Sequence, residues 1–131
     1  MLAMNTHPFV NIIVRTYNEE NWIKFCLLKL LKQNYENYVI TVIDSGSIDA
    51  TKQIVGEYME KNPKKIKLET IDVFKPGKVI NLGARTTDSD YFICLSAHCV
   101  PENSEWIAAY VDFMEVHTDV VGAYGRQLPL G

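Results

Sequence analysis

The sequence predicts an α/β fold, an open and mainly parallel sheet with helices on both faces. Three observations carry that expectation. Short apolar runs of about five residues alternate with segments whose apolar residues recur every three or four positions. Strands and helices in strict alternation imply parallel strands joined by right-handed crossovers. At 131 residues and 47% hydrophobic content, the chain has the size and the apolar material for one core. We therefore expect a single domain over 1–131, with residues 1–8 flexible.

The first strand is Val10-Asn11-Ile12-Ile13-Val14, ending at Arg15-Thr16-Tyr17-Asn18. Trp22, Ile23, Cys26, Leu27, Leu30 and Leu31 then mark a helix, with Asn18 as its expected N-cap and Glu19 and Glu20 in its first turn, where carboxylates suit the helix dipole. Val39 to Ile43 reads as the second strand. Ser47 and Asp49 are the expected caps of a second helix with the stripe Ile48, Thr51, Ile54, Val55, Tyr58 and Met59, closed by Asn62-Pro63. Ile66 to Val73 is the third strand. A shorter helix follows Lys75-Pro76-Gly77, from about Val79 to Thr86. Tyr91 to Leu95 is the fourth strand, Pro101 starts a helix with Trp106, Ile107, Tyr110, Val111 and Met114 on one face, and Val120 to Tyr124 is the expected fifth strand.

Thirteen basic and sixteen acidic side chains give a net charge of −3, which argues against a nucleic-acid partner. The one basic cluster, Lys61 to Lys67, carries a proline and reads as a solvated helix end and loop. No apolar run reaches the roughly 18–20 residues of a membrane span, and MLAMNTHP lacks the pattern of a secretion signal, so a soluble, cytoplasmic protein is expected. Of the three cysteines, Cys26 and Cys94 lie in apolar periodic segments and are expected as buried free thiols.

In open parallel sheets, ligands bind beyond the carboxyl ends of the strands. Three loops qualify: Thr16-Tyr17-Asn18-Glu19, Asp44-Ser45-Gly46-Ser47 and Ser96-Ala97-His98-Cys99-Val100-Pro101. The first strand is not followed by GxGxxG, and GxxxxGK[ST] occurs nowhere, which removes most of the case for a dinucleotide oxidoreductase or a P-loop NTPase.

Four stretches in order, VNIIVRTYNEE, VIDSGSIDAT, PGKVINLGA and YFICLSAHCVP, resemble the family 2 glycosyltransferases, inverting nucleotide-sugar enzymes of the GT-A fold. The tail VGAYGRQLP resembles a rhamnosyltransferase-like branch of that family. The resemblance implies a nucleotide-sugar donor, a saccharide or lipid-linked acceptor, and a parent enzyme that can associate with the inner membrane face. It also implies roles for individual residues. Thr16, Tyr17 and Glu19 would line the base and ribose pocket, and Asp44 would accept from the base. A carboxylate only accepts, so it can read a ring N–H, and an aromatic wall suits a base. Asp44 could equally be a turn acid bonding its own backbone.

Lys78 would bring an ammonium to the diphosphate, or be an exposed loop lysine, and Asn81 would approach the donor. Alignment on the family's metal-binding DxD motif puts Ser96 at the first aspartate and His98 at the second. An imidazole there suits Mn²⁺ better than Mg²⁺, and the alternatives are that His98 binds phosphate directly or caps a helix. Arg126 would offer a planar fork to a phosphate or sugar acid, or be a surface arginine. The family's general base comes from a later segment with no counterpart here, so we expect the donor-binding half of a longer transferase. Self-association through an uncovered apolar flank follows from that expectation. The alternative is a nucleotide-binding or regulatory α/β module without chemistry.

Overall fold

The structure is a computed structural model that describes residues 7–72, 75–85 and 87–128. Four strands, β1 (Val10–Thr16), β2 (Tyr38–Asp44), β3 (Ile66–Thr70) and β4 (Tyr91–Ser96), alternate with four helices, α1 (Ile23–Leu31), α2 (Thr51–Lys61), α3 (Pro76–Arg85) and α4 (Trp106–Val116). The sheet order is β3-β2-β1-β4 and every pairing is parallel.

That order explains the layering. The chain steps outward from β1 to β2 to β3, then crosses back to place β4 on the far side of β1, and right-handed crossovers in opposite directions put their helices on opposite faces. On one face Val10, Ile12, Val14, Ile40 and Val42 pack with Ile23, Cys26, Leu27 and Leu30 of α1, Val55 of α2, and Ile107 and Val111 of α4. On the other, Ile13 and Ile43 pack with Val79 of α3. Each such aliphatic side chain, fully buried, contributes roughly 1.5–3 kcal/mol relative to exposure.

Alternation along β1 also fixes a buried polar link. Asn11 faces α3, where its Nδ2 donates to the Gly83 carbonyl at 2.9 Å and its Oδ1 accepts from Thr41 Oγ1 at 2.7 Å, so one side chain ties two strands to a helix. A Cβ on Gly83 would meet Ile13 carbons at 2.7–2.9 Å, so only glycine allows α3 to approach this closely.

Several expectations need correction. Val120 to Tyr124 forms no strand; the segment has no regular structure, and Val121 and Tyr124 are fully exposed. A strand needs a ladder partner, and among the described residues none pairs with this run. β3 ends at Thr70 rather than Val73, which lies outside the described residues. α3 begins at Pro76, a residue type suited to a first helical turn, and its expected end at Thr86 lies outside the described residues. α1 begins only at Ile23, so Glu19 and Glu20 precede it. Cys26 is buried, but Cys94 is exposed, because α3 covers β1 and β2 and leaves that face of β4 open. Of the start expected to be flexible, 1–6 lie outside the described residues, whereas Pro8 is buried and accepts the Tyr35 hydroxyl at 2.5 Å.

Candidate functional site

The reversal of strand order falls between β1 and β4, and the loops leaving these two strands start at the carboxyl edge of the sheet, the edge where ligands bind in open parallel sheets. Glu19 comes from the loop after β1 and His98 from the loop after β4. Glu19 Oε1 lies 2.9 Å from His98 Nδ1, with His98 exposed and Glu19 half-buried. Tyr17, 54% exposed, stands on the same β1 loop. Thr16 is different: it is only 4% exposed, and its buried hydroxyl oxygen makes no hydrogen bond in this structure.

The loops after β1 and β2 are held together by side chains bonding across to backbone. Asn18 takes a left-handed conformation, φ 50°, which asparagine tolerates better than most residues. Its N–H donates to Ser47 Oγ at 2.8 Å, and its Oδ1 accepts from the Ile48 N–H at 2.9 Å. Glu19 N–H donates to Thr51 Oγ1, Glu20 N–H to Asp49 Oδ2, and Ala50 N–H to Glu20 Oε2. Asn18 is therefore a bridge between loops and not the cap of α1, whose N-cap residue is Trp22 and makes no side-chain cap bond. Ser47 likewise joins the loops, and the N-cap residue of α2 is Ala50 rather than Ser47 or Asp49, with Asp49 one position ahead accepting from the Thr51 N–H at 2.9 Å. Ile48 is 89% exposed and takes no part in the apolar stripe of α2.

Asp44 is fully buried, and its carboxylate is occupied by its own turn. Oδ2 accepts from the N–H groups of Gly46 and Ser47 at 3.0 and 2.8 Å, and Oδ1 from Ser47 Oγ at 2.5 Å. Gly46 at φ 91° gives the turn its left-handed step. In this arrangement Asp44 shapes the loop, which is the turn-acid alternative read from its sequence position.

Arg15 was missed by sequence reasoning. It pairs in register with Ser96 on β4, and its Nη2 donates to Ser96 Oγ at 2.7 Å, while its buried Nε has no hydrogen-bond partner. Partial desolvation of the sulfur, in a residue that is exposed as a whole, raises the pKa of the nearby Cys94 thiol, and the Arg15 guanidinium pulls it the other way. Among the described residues no carboxylate pairs with this guanidinium, so its positive charge is set against the Ser96 hydroxyl alone. The available signal was a charged residue inside an otherwise apolar strand, VNIIVRT.

Lys78 and Asn81 are exposed on α3; Lys78 lies in its first turn rather than in a loop. The helix runs back across the sheet, so this turn is at the carboxyl edge, where helix N–H groups favour anions. Arg126 is exposed in the irregular tail, and no bond links it to Glu19 or His98. The chain there passes against α4, since a Cβ on Gly125 would meet the Tyr110 hydroxyl.

No three His, Cys, Asp or Glu side chains converge among the described residues. Glu19 and His98 together offer one carboxylate oxygen and one imidazole nitrogen. That donor set fits a divalent cation that takes its remaining ligands from substrate oxygens and water.

The profile of glycosyl transferase family 2 matches residues 11–127, nearly the whole of this chain. The chain belongs to glycosyl transferase family 2. It is 37% identical over 97 residues to a dolichyl N-acetyl-α-D-glucosaminyl phosphate 3-β-D-2,3-diacetamido-2,3-dideoxy-β-D-glucuronosyltransferase of Methanococcus voltae, covering 72% of this chain and 30% of that protein. It is 33% identical over 129 residues to the poly(ribitol-phosphate) β-N-acetylglucosaminyltransferase TarS of Staphylococcus aureus, covering 91% of this chain and 22% of TarS. The chain thus spans a third or less of these two relatives.

Solved structures agree on the fold of this family 2 chain. TarS 1-349 in complex with UDP-GlcNAc superposes with a TM-score of 0.74 at 26% identity, covering 93% of this chain and 37% of the other. The mannosyltransferase PcManGT from Pyrobaculum calidifontis, in complex with GDP-Man and Mn²⁺, gives 0.77 at 24% identity, covering 82% and 32%. The GT-A-type sheet expected from the sequence is therefore the fold observed, and among the described residues no helix is long and apolar enough to cross a membrane.

Proposed function

We propose that this chain carries the donor-binding half of an inverting glycosyltransferase that moves a sugar from a nucleoside diphosphate to an acceptor hydroxyl. The observation that carries the reading is the meeting of Glu19 and His98 at the strand-order reversal, 2.9 Å apart on loops from β1 and β4. TarS, bound to UDP-GlcNAc in a superposable fold, supports a nucleotide-sugar donor. The M. voltae relative, whose name specifies a dolichyl phosphate-linked sugar, supports a lipid-linked acceptor. The rhamnosyltransferase-like branch rests on the tail VGAYGRQLP alone.

In this reading the acceptor hydroxyl gives its proton to a general base as its oxygen attacks the anomeric carbon, the bond to the diphosphate breaks on the opposite side, and the centre inverts. Tyr17 offers the nucleobase an exposed aromatic face, with Thr16 and Glu19 beside it. Asp44 serves the base through the loop it shapes, by holding Gly46 and Ser47 in place. Arg15, seated on Ser96, and Lys78 with Asn81 in α3 supply positive charge and N–H donors to the leaving diphosphate. A divalent cation held by Glu19 and His98 would neutralise diphosphate oxygens when bound. Arg126 would join from the tail once a donor is present. The open face of β4, with Phe92 half exposed, supports self-association.

Calorimetric titration with UDP, dTDP and GDP, each with Mn²⁺, Mg²⁺ or EDTA, tests the reading. Saturable binding of one diphosphate is expected, and no binding of any of them under any condition would overturn it.

A further inference from the structure

The outer face of α1 is not explained by the donor site. With about 100° per residue, Trp22, Phe25, Leu28, Lys29 and Lys32 fall within about 120° of one another, opposite the buried stripe Ile23, Cys26, Leu27 and Leu30. Trp22 and Phe25 are 38% and 54% exposed, in an edge-to-face pair with ring centroids 6.5 Å apart. With Val100 these residues line an open groove of ≈ 330 Å³. Lys24, Lys29 and Lys32 are exposed, α1 contains no acidic residue, and among the described residues no carboxylate forms an ion pair with these lysines. On a chain of net charge −3, this helix face sets lysines and no acid beside the exposed aromatics, the nearest acids across from it, Glu102 and Glu105, being exposed on the segment that Gln33 and Asn34 bind at the helix end.

We propose that this face of α1 is a docking surface for an anionic lipid bilayer. Tryptophan and phenylalanine settle at the boundary between headgroups and acyl chains, and lysines beside them are drawn to anionic headgroups; together they let a helix lie on a membrane without crossing it. Charge complementarity selects this occupant. A second copy placed symmetrically on the groove would set Lys29 and Lys32 against their own counterparts, a repulsion that a bilayer of opposite charge does not meet. The surface is also continuous with the candidate site: the Glu19 carbonyl accepts from the N–H groups of Trp22 and Ile23, and Val100 is two residues from His98. Docking would hold Glu19 and His98 at headgroup level, within reach of a lipid-carried acceptor; that last clause alone rests on the proposed function.

The test is co-sedimentation of the 131-residue chain with vesicles of phosphatidylglycerol and phosphatidylcholine mixed, or of phosphatidylcholine alone, at low and high salt. We expect binding to the anionic vesicles only, weakened by salt, lowered about tenfold or more by Lys29→Ala with Lys32→Ala, and lowered again by Phe25→Ser. The lysine variant should keep its nucleotide affinity, which separates failure here from failure of the donor reading. Binding that is absent, indifferent to lipid charge, or unchanged in both variants overturns the proposal. So does light scattering that shows a dimer dispersed by Phe25→Ser, which would make the face a contact between copies, or anionic-vesicle binding that an acidic peptide fully displaces at low concentration, which would make it a protein site.

Discussion

The Glu19 carboxylate and the His98 imidazole, 79 positions apart in sequence, meet at 2.9 Å where the loops of β1 and β4 part. If this pair supplies the protein ligands of a cation, nucleotide diphosphate should bind more tightly in Mn²⁺ than in EDTA. His98→Ala should remove that difference, weakening the cation's contribution by at least about tenfold. Titration calorimetry of both proteins decides it; equal Mn²⁺ enhancement in the variant would place the cation elsewhere.

Arg15 should matter for the diphosphate and not for the nucleoside. Its replacement by alanine is expected to lower UDP affinity by about 10–100-fold, the scale of a lost charge-assisted hydrogen bond, while leaving uridine binding unchanged. A parallel loss for both ligands would show that the substitution disturbed the pocket as a whole.

Asp44→Ala should cost stability first. It leaves the N–H groups of Gly46 and Ser47 without their acceptor in a buried turn, at about 2–4 kcal/mol in urea unfolding. A stable variant with weakened nucleotide binding would instead return Asp44 to direct contact with the base.

Gly83→Ala should destabilise by about 1–3 kcal/mol, because the new methyl meets the Ile13 side chain below 3 Å. Pairing it with Ile13→Val should recover part of the loss in thermal unfolding, since a smaller partner relieves the overlap.

Alkali should unfold the chain from about pH 10 upward. Burial raises the Tyr38 and Tyr35 hydroxyls from 10.0 to about 12, and each donates to a carbonyl, Leu30 and Pro8 respectively. The folded state then holds protons that the unfolded state has begun to lose. Stability is full below pH 10 and is lost as pH rises through about 12. Tyr38→Phe should flatten the decline in a pH series followed by circular dichroism.

The alternation of apolar runs was enough for four strands, four helices and a parallel sheet, because period and length are local properties. The fifth strand failed for the opposite reason: Val120 to Tyr124 has the right composition, but a strand exists only with a partner, and pairing is not local. Cys94 reads as buried from its apolar neighbours, yet which face of β4 a helix covers depends on the direction of a crossover. Asn18 and Ser47 read as helix caps because their types are cap types. Their hydrogen bonds instead run between two loops brought together by parallel pairing of β1 and β2.

The sequence by itself determined the family and pointed to three loops at one sheet edge, since both lie in short contiguous motifs. Only the tertiary structure decided which loop residues face one another. It joined Glu19 to His98, committed Asp44 to its own turn and seated Arg15 on Ser96, because strand order and register set these distances and neither is written in any one segment.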